Sequence, residues 1–169
     1  RSDRYIKSLS FTAGEDAAQT IAVDIVQPYV DKSADEACLL TCHAGDRIQV
    51  AFNRAGGWMN GYFYIDLDQN KQFSFREGST DQSGSELMTF SFYSGDFNND
   101  SQGVNSAGTS LTGGARNTMA CPAFTLPANL AEGDYRFMTI IWDNEPLSSR
   151  ALVELCLEKL GWKKSTTYT

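Results

Sequence analysis

Hydrophobic and polar positions alternate most cleanly over residues 47–53, where Ile48, Val50 and Phe52 fall on one side and Arg47, Gln49 and Asn53 mostly on the other. A period of two marks a half-buried β-strand, because successive side chains of an extended chain point to opposite faces. Short runs of β-branched and aromatic residues recur, separated by clusters of Gly, Asn, Asp and Ser. They predict strands over 5–11, 20–26, 37–42, 47–53, 61–67, 87–93, 117–126 and 135–142. About eight such segments suit an all-β fold, a two-sheet antiparallel β-sandwich. Tyr62-Phe63-Tyr64-Ile65 is apolar on both faces. That predicts a central strand with one face on the core and the other covered by a loop, a partner or a ligand.

The period changes near the C-terminus. Leu152, Leu155, Cys156 and Leu160 follow helical spacing, with a serine of Ser148-Ser149 as an N-cap and Gly161 as a stop, and predict one helix over about 149–160. No repeat or linker divides the chain, so residues 1–169 read as a single domain. The polar stretches 75–86 and 94–117 read as loops, the second longer, and both are natural places for binding chemistry.

Composition narrows the function. At 169 residues, 41% hydrophobic and 21% charged, the chain is long enough to bury a core. The net charge is −7 with no basic stripe, so nucleic acid is not an expected partner. No apolar run approaches the roughly 20 residues of a bilayer crossing, so no transmembrane segment is expected. The chain starts at Arg1 without a charged-then-apolar leader, which reads as a processed chain or a piece of something longer.

His43 is the one histidine, so clusters of histidines around zinc or iron are ruled out within the chain. It lies next to the turn Ala44-Gly45-Asp46 and there is no G-x-S-x-G elbow, so it reads as a strand-end or loop residue rather than a catalytic base. Several carboxylates occur, but no spacing selects a glycosidase pair. The expectation is a non-catalytic protein. Four cysteines allow three pairings; Cys38 and Cys42 are too far apart in an extended segment to join, and buried free thiols are the default.

One loop carries recognisable chemistry. From Asp66, oxygen side chains Asp66, Asp68, Asn70 and Glu77 fall at positions one, three, five and twelve, where an EF-hand-like loop supplies oxygens to Ca²⁺. Lys71 stands at position six, where the sharp turn normally demands Gly, and its ammonium opposes a cation. Two readings follow: a Ca²⁺ site, or a hairpin in which Asp66, Asp68 and Asn70 bond their own backbone.

A second candidate is Trp58, after Gly56-Gly57 and beside Asn60 and Tyr62. A loop indole with neighbouring amides is a surface on which a sugar ring can stack, and the alternative is an indole folded back to plug the sandwich end. On the first reading the ligand class is a carbohydrate or a cell-surface polymer.

Residues 44–50, 57–73 and 124–136 together resemble the GEVED-type extracellular β-sandwich modules of secreted proteins of gut Bacteroidetes. These modules read as a tryptophan, a strand, "Y-x-D-x-N-x-D-G-x-F", and later "F-x-x-P … G-x-Y-R-M-R". Here the counterparts are Trp58, Tyr64-Ile65-Asp66-Leu67-Asp68-Gln69-Asn70-Lys71-Gln72-Phe73, and Phe124-Thr125-Leu126-Pro127 with Gly133-Asp134-Tyr135-Arg136. Lys71 departs from the family's Gly, and Glu145-Pro146-Leu147 stands where another strand is expected. The resemblance implies an accessory or adhesive module at the cell surface or outside the cell. An alternative within that setting is a structural or protein-interaction domain that docks on neighbouring domains.

Overall fold

The computed structural model describes residues 3–23, 26, 30–32, 34–57, 59–93, 103–112, 119–131 and 137–143. They form nine strands: β1 (Tyr5–Ala13), β2 (Gln19–Ala22), β3 (Arg47–Ala55), β4 (Met59–Ile65), β5 (Leu87–Tyr93), β6 (Gly103–Asn105), β7 (Ser110–Leu111), β8 (Phe124–Thr125) and β9 (Phe137–Asp143). Two antiparallel sheets result, one ordered β2-β1-β3-β8 and the other β7-β6-β5-β4-β9.

The alternation read in β3 decides what faces inward: Ile48, Val50 and Phe52 are buried while Arg47, Gln49, Ala51 and Asn53 are exposed. From the facing sheet, Met59, Phe63 and Ile65 of β4 join the same core, together with Leu9, Phe11 and Ile21. Gly61 lets the sheets approach, since a Cβ there would sit 3.3 Å from the Phe52 ring and 3.6 Å from Cys121 Sγ. Thr89, fully buried, donates to the Pro122 carbonyl at 2.7 Å and shares a 3.0 Å bond with Ser106 Oγ, which satisfies its hydroxyl inside the core.

β1 and β3 run two residues longer than expected, β4 starts and ends two residues earlier, and four larger expectations change. Residues 37–42 carry no strand: Asp35 accepts the Ala37 N–H and caps a short 3-10 turn over Glu36–Cys38. Cys38 at its end, and Leu40 and Cys42 beyond it, still pack on the core while Leu39 is 70% exposed. In place of a backbone ladder, the Gln19 side-chain amide donates to the Thr41 carbonyl (3.2 Å) and accepts its N–H (3.4 Å). Of the long strand expected over 117–126, the described part, 119–126, keeps two strand residues, because Met119 at φ +51 and a Cys121 N–H bond to the Met119 carbonyl turn the chain, and Pro122 and Pro127 have no N–H to pair. β2 ends at Ala22, short of the expected 26. The loop expected over 94–117 contains β6 and β7, joined by a turn in which Asn105 Oδ1 accepts from Ala107 and Thr109. The helix expected over 149–160 lies outside the described residues.

Candidate functional site

β4 is an inner strand of its sheet, paired with β5 on one side and with the edge strand β9 on the other, and its two faces differ in use. Met59, Phe63 and Ile65 enter the core, whereas Tyr62 and Tyr64 lie on the outer face with Leu87 and Phe90 of β5. A register shift at Phe63/Tyr64 sets Tyr64 opposite Leu87. Tyr64 is covered by the segment that follows β4: the Phe73 ring lies 5.5 Å away, tilted, and the Phe75 ring 6.3 Å away, edge-on. Tyr62 is half-buried, stacked on Phe90 at 6.1 Å with 24° between planes, and burial raises its phenol above the ordinary tyrosine range. Asn60 is buried, two residues along the same strand. The third residue of the expected glycan surface, Trp58, lies outside the described residues.

At the end of β4 the chain turns sharply. Gln69 and Lys71 adopt left-handed backbone, at φ +58 and +66, so position six takes the conformation that usually calls for Gly although Lys fills it. The turn hydrogen bonds expected of the acidic loop are present. Lys71 N–H donates to Asp66 Oδ2 at 2.9 Å, Asn70 N–H to Asp68 Oδ1 at 3.1 Å and Gln72 N–H to Asn70 Oδ1 at 2.7 Å. Asn70 also donates from Nδ2 to Asp68 Oδ2.

Glu86, rather than Glu77, completes the carboxylate group. One carboxylate oxygen from each of Asp66, Asp68 and Glu86 lies within 4.8 Å of the others, while Glu77 is exposed and outside that group. Glu86 stands just before β5, and its own main chain bonds both Ile65 and Ser74. Its Oε1 accepts from Leu67 (2.8 Å) and Asp68 (3.4 Å), and its Oε2 from Ser74 (2.8 Å). Local spacing offers no sign of it, because β4–β5 pairing alone brings residue 86 beside residue 66.

Asp66 is only 2% exposed, and its Oδ1 has no hydrogen-bond partner among the described residues. No family model, curated protein or solved structure matches the chain.

Elsewhere, His43 sits in an exposed turn. Its N–H donates to Asp46 Oδ2 at 2.7 Å and its ring Nδ1 lies 3.5 Å from the same oxygen. Cys38, Cys42 and Cys121 are free thiols, and burial pushes all three up, Cys121 to about 12. A raised thiol holds less of the reactive thiolate near neutral pH. No helix among the described residues is long and apolar enough to cross a membrane.

Proposed function

We propose that the chain is a non-catalytic binding module that holds a carbohydrate, or a carbohydrate-bearing surface polymer, against the outer face of β4. The observation that carries this reading is the half-buried Tyr62 ring, fixed by stacking on Phe90 on the outer face of β4. An immobilised aromatic face loses little conformational freedom on binding, and its half-exposed ring offers an apolar surface on which a sugar ring can stack. The GEVED-like order of motifs adds the setting, an exported protein.

A glycan array probed with the purified chain tests it. The expected result is a saturable glycan hit that Tyr62→Ala weakens at least about tenfold, equivalent to about 1.4 kcal/mol, while Tyr62→Phe, which keeps the ring and the fold, retains most of the binding. A blank array with a folded protein removes the reading. In that case concentration-dependent association, measured by light scattering, identifies the chain as an interaction domain instead.

A further inference from the structure

We propose that Asp66, Asp68 and Glu86 form a Ca²⁺ site where β4 leaves the sheet, a site independent of the carbohydrate reading. Three carboxylates are gathered within 4.8 Å. Like charges at that separation repel, and the arrangement needs compensation from donors or from a cation.

Backbone donors supply part of it. Both oxygens of Glu86 accept N–H groups, both oxygens of Asp68 accept from Asn70, and Asp66 Oδ2 accepts from Lys71. Asp66 Oδ1 is left over, on the most deeply buried carboxylate of the group, with no partner among the described residues. Turn formation explains the five satisfied oxygens and does not explain the sixth. A buried polar atom without a donor loses its hydration and gains nothing in return. A cation satisfies such an oxygen directly and draws at the same time on the second lone pairs of its neighbours.

The donor set selects the ion. The group is all oxygen, without imidazole or thiolate, which suits a hard cation rather than zinc or copper. Its carboxylates come from two places, a tight turn and the residue before β5. Ca²⁺ accepts irregular arrangements of 6–8 oxygens, whereas Mg²⁺ demands near-octahedral geometry. Three carboxylates leave the remaining positions to water or loop carbonyls. Glu86 replaces the position-twelve Glu of an EF-hand-like loop with a carboxylate delivered by the sheet, so no exiting helix is required.

The test uses the full chain stripped with a chelator and titrated calorimetrically with CaCl₂ and, separately, MgCl₂. The expected result is one saturable Ca²⁺ event with Kd of about 10⁻⁵–10⁻³ M and Mg²⁺ at least about tenfold weaker. The unfolding temperature should rise by about 5–10 °C at a hundredfold excess over Kd. Asp68 is exposed, so Asp68→Asn keeps the fold, weakens Ca²⁺ at least about tenfold and abolishes most of the thermal gain. Asp66→Asn is expected to do the same. Absence of a saturable heat at millimolar Ca²⁺, equal binding of Mg²⁺, or unchanged Ca²⁺ binding in folded Asp68→Asn would each overturn the assignment.

Discussion

Glu86 and Ser74 hold each other twice: the Glu86 N–H donates to the Ser74 carbonyl at 2.8 Å, and the Ser74 N–H donates to Glu86 Oε2 at 2.8 Å. That reciprocal pair fixes the segment carrying Phe73 and Phe75 over Tyr64. Removing the carboxylate leaves the N–H groups of Leu67, Asp68 and Ser74 without their acceptor. Glu86→Ala is therefore expected to cost about 2–4 kcal/mol, and Glu86→Gln less, because one side-chain oxygen remains. Urea unfolding measures both, and a Glu86→Ala loss within experimental scatter of zero would show that water replaces the carboxylate without penalty.

Lys71 pays the conformational penalty of left-handed backbone with a side chain that also places a positive charge on an acidic loop. Lys71→Gly is expected to stabilise by about 0.5–1 kcal/mol, the opposite of glycine's usual effect in a strand. It should also tighten Ca²⁺ in the same calorimetric titration. A destabilised variant would mean that the Lys71 side chain makes contacts worth more than the strain.

Gly56 has φ +72, and a Cβ there would lie 2.6 Å from the Asp3 carbonyl oxygen. Since the obstacle is backbone, it cannot swing aside. Gly56→Ala is expected to cost at least about 2 kcal/mol by the combined strain and clash. A denaturation midpoint equal to wild type would require the N-terminal strand to shift freely.

Alkaline pH should weaken the fold. The Cys121 thiol ordinarily ionises near 9.0 and is pushed up to about 12 by burial, and the Tyr62 phenol, ordinarily near 10.0, is raised for the same reason. The folded state holds these protons when the unfolded chain has released them. Stability is thus full below about pH 9 and declines from there toward pH 12, at up to about 1.4 kcal/mol per pH unit for each group. Cys121→Ala with Tyr62→Phe should flatten the decline, followed by unfolding in urea from pH 8 upward; an unchanged slope would place the titration elsewhere.

The Gln19 amide stands in for a strand at Thr41, accepting its N–H and donating to its carbonyl. Gln19→Ala should cost about 1 kcal/mol and speed hydrogen exchange at the Thr41 amide, with exchange in β3 unchanged at equal pH. Equal protection of Thr41 in both proteins would show that the amide bond is incidental.

Much of the architecture was legible because binary patterning survives folding. The faces of β3, the exact span of β5 and the double-sided character of β4 all follow from which side chains are apolar. Where pairing rather than patterning decides, reading from residues alone stops short. Residues 37–42 have the facing of a strand without a ladder, and β6 and β7 are too short and polar to show a period. Of the expected cation ligands, Asp66 and Asp68 meet in space, Asn70 bonds Asp68 and Gln72, and Glu77 stands outside the carboxylate group.

The amino-acid order by itself determined the all-β character, the inward faces and the run of oxygens after β4, since each depends on near neighbours along an extended chain. Only the tertiary structure decided that Glu86 joins Asp66 and Asp68, and that one oxygen of Asp66 is buried without a donor. Antiparallel pairing of β4 with β5 brings residue 86 back beside residue 66, and a contact created by strand return leaves no periodic trace in the sequence between.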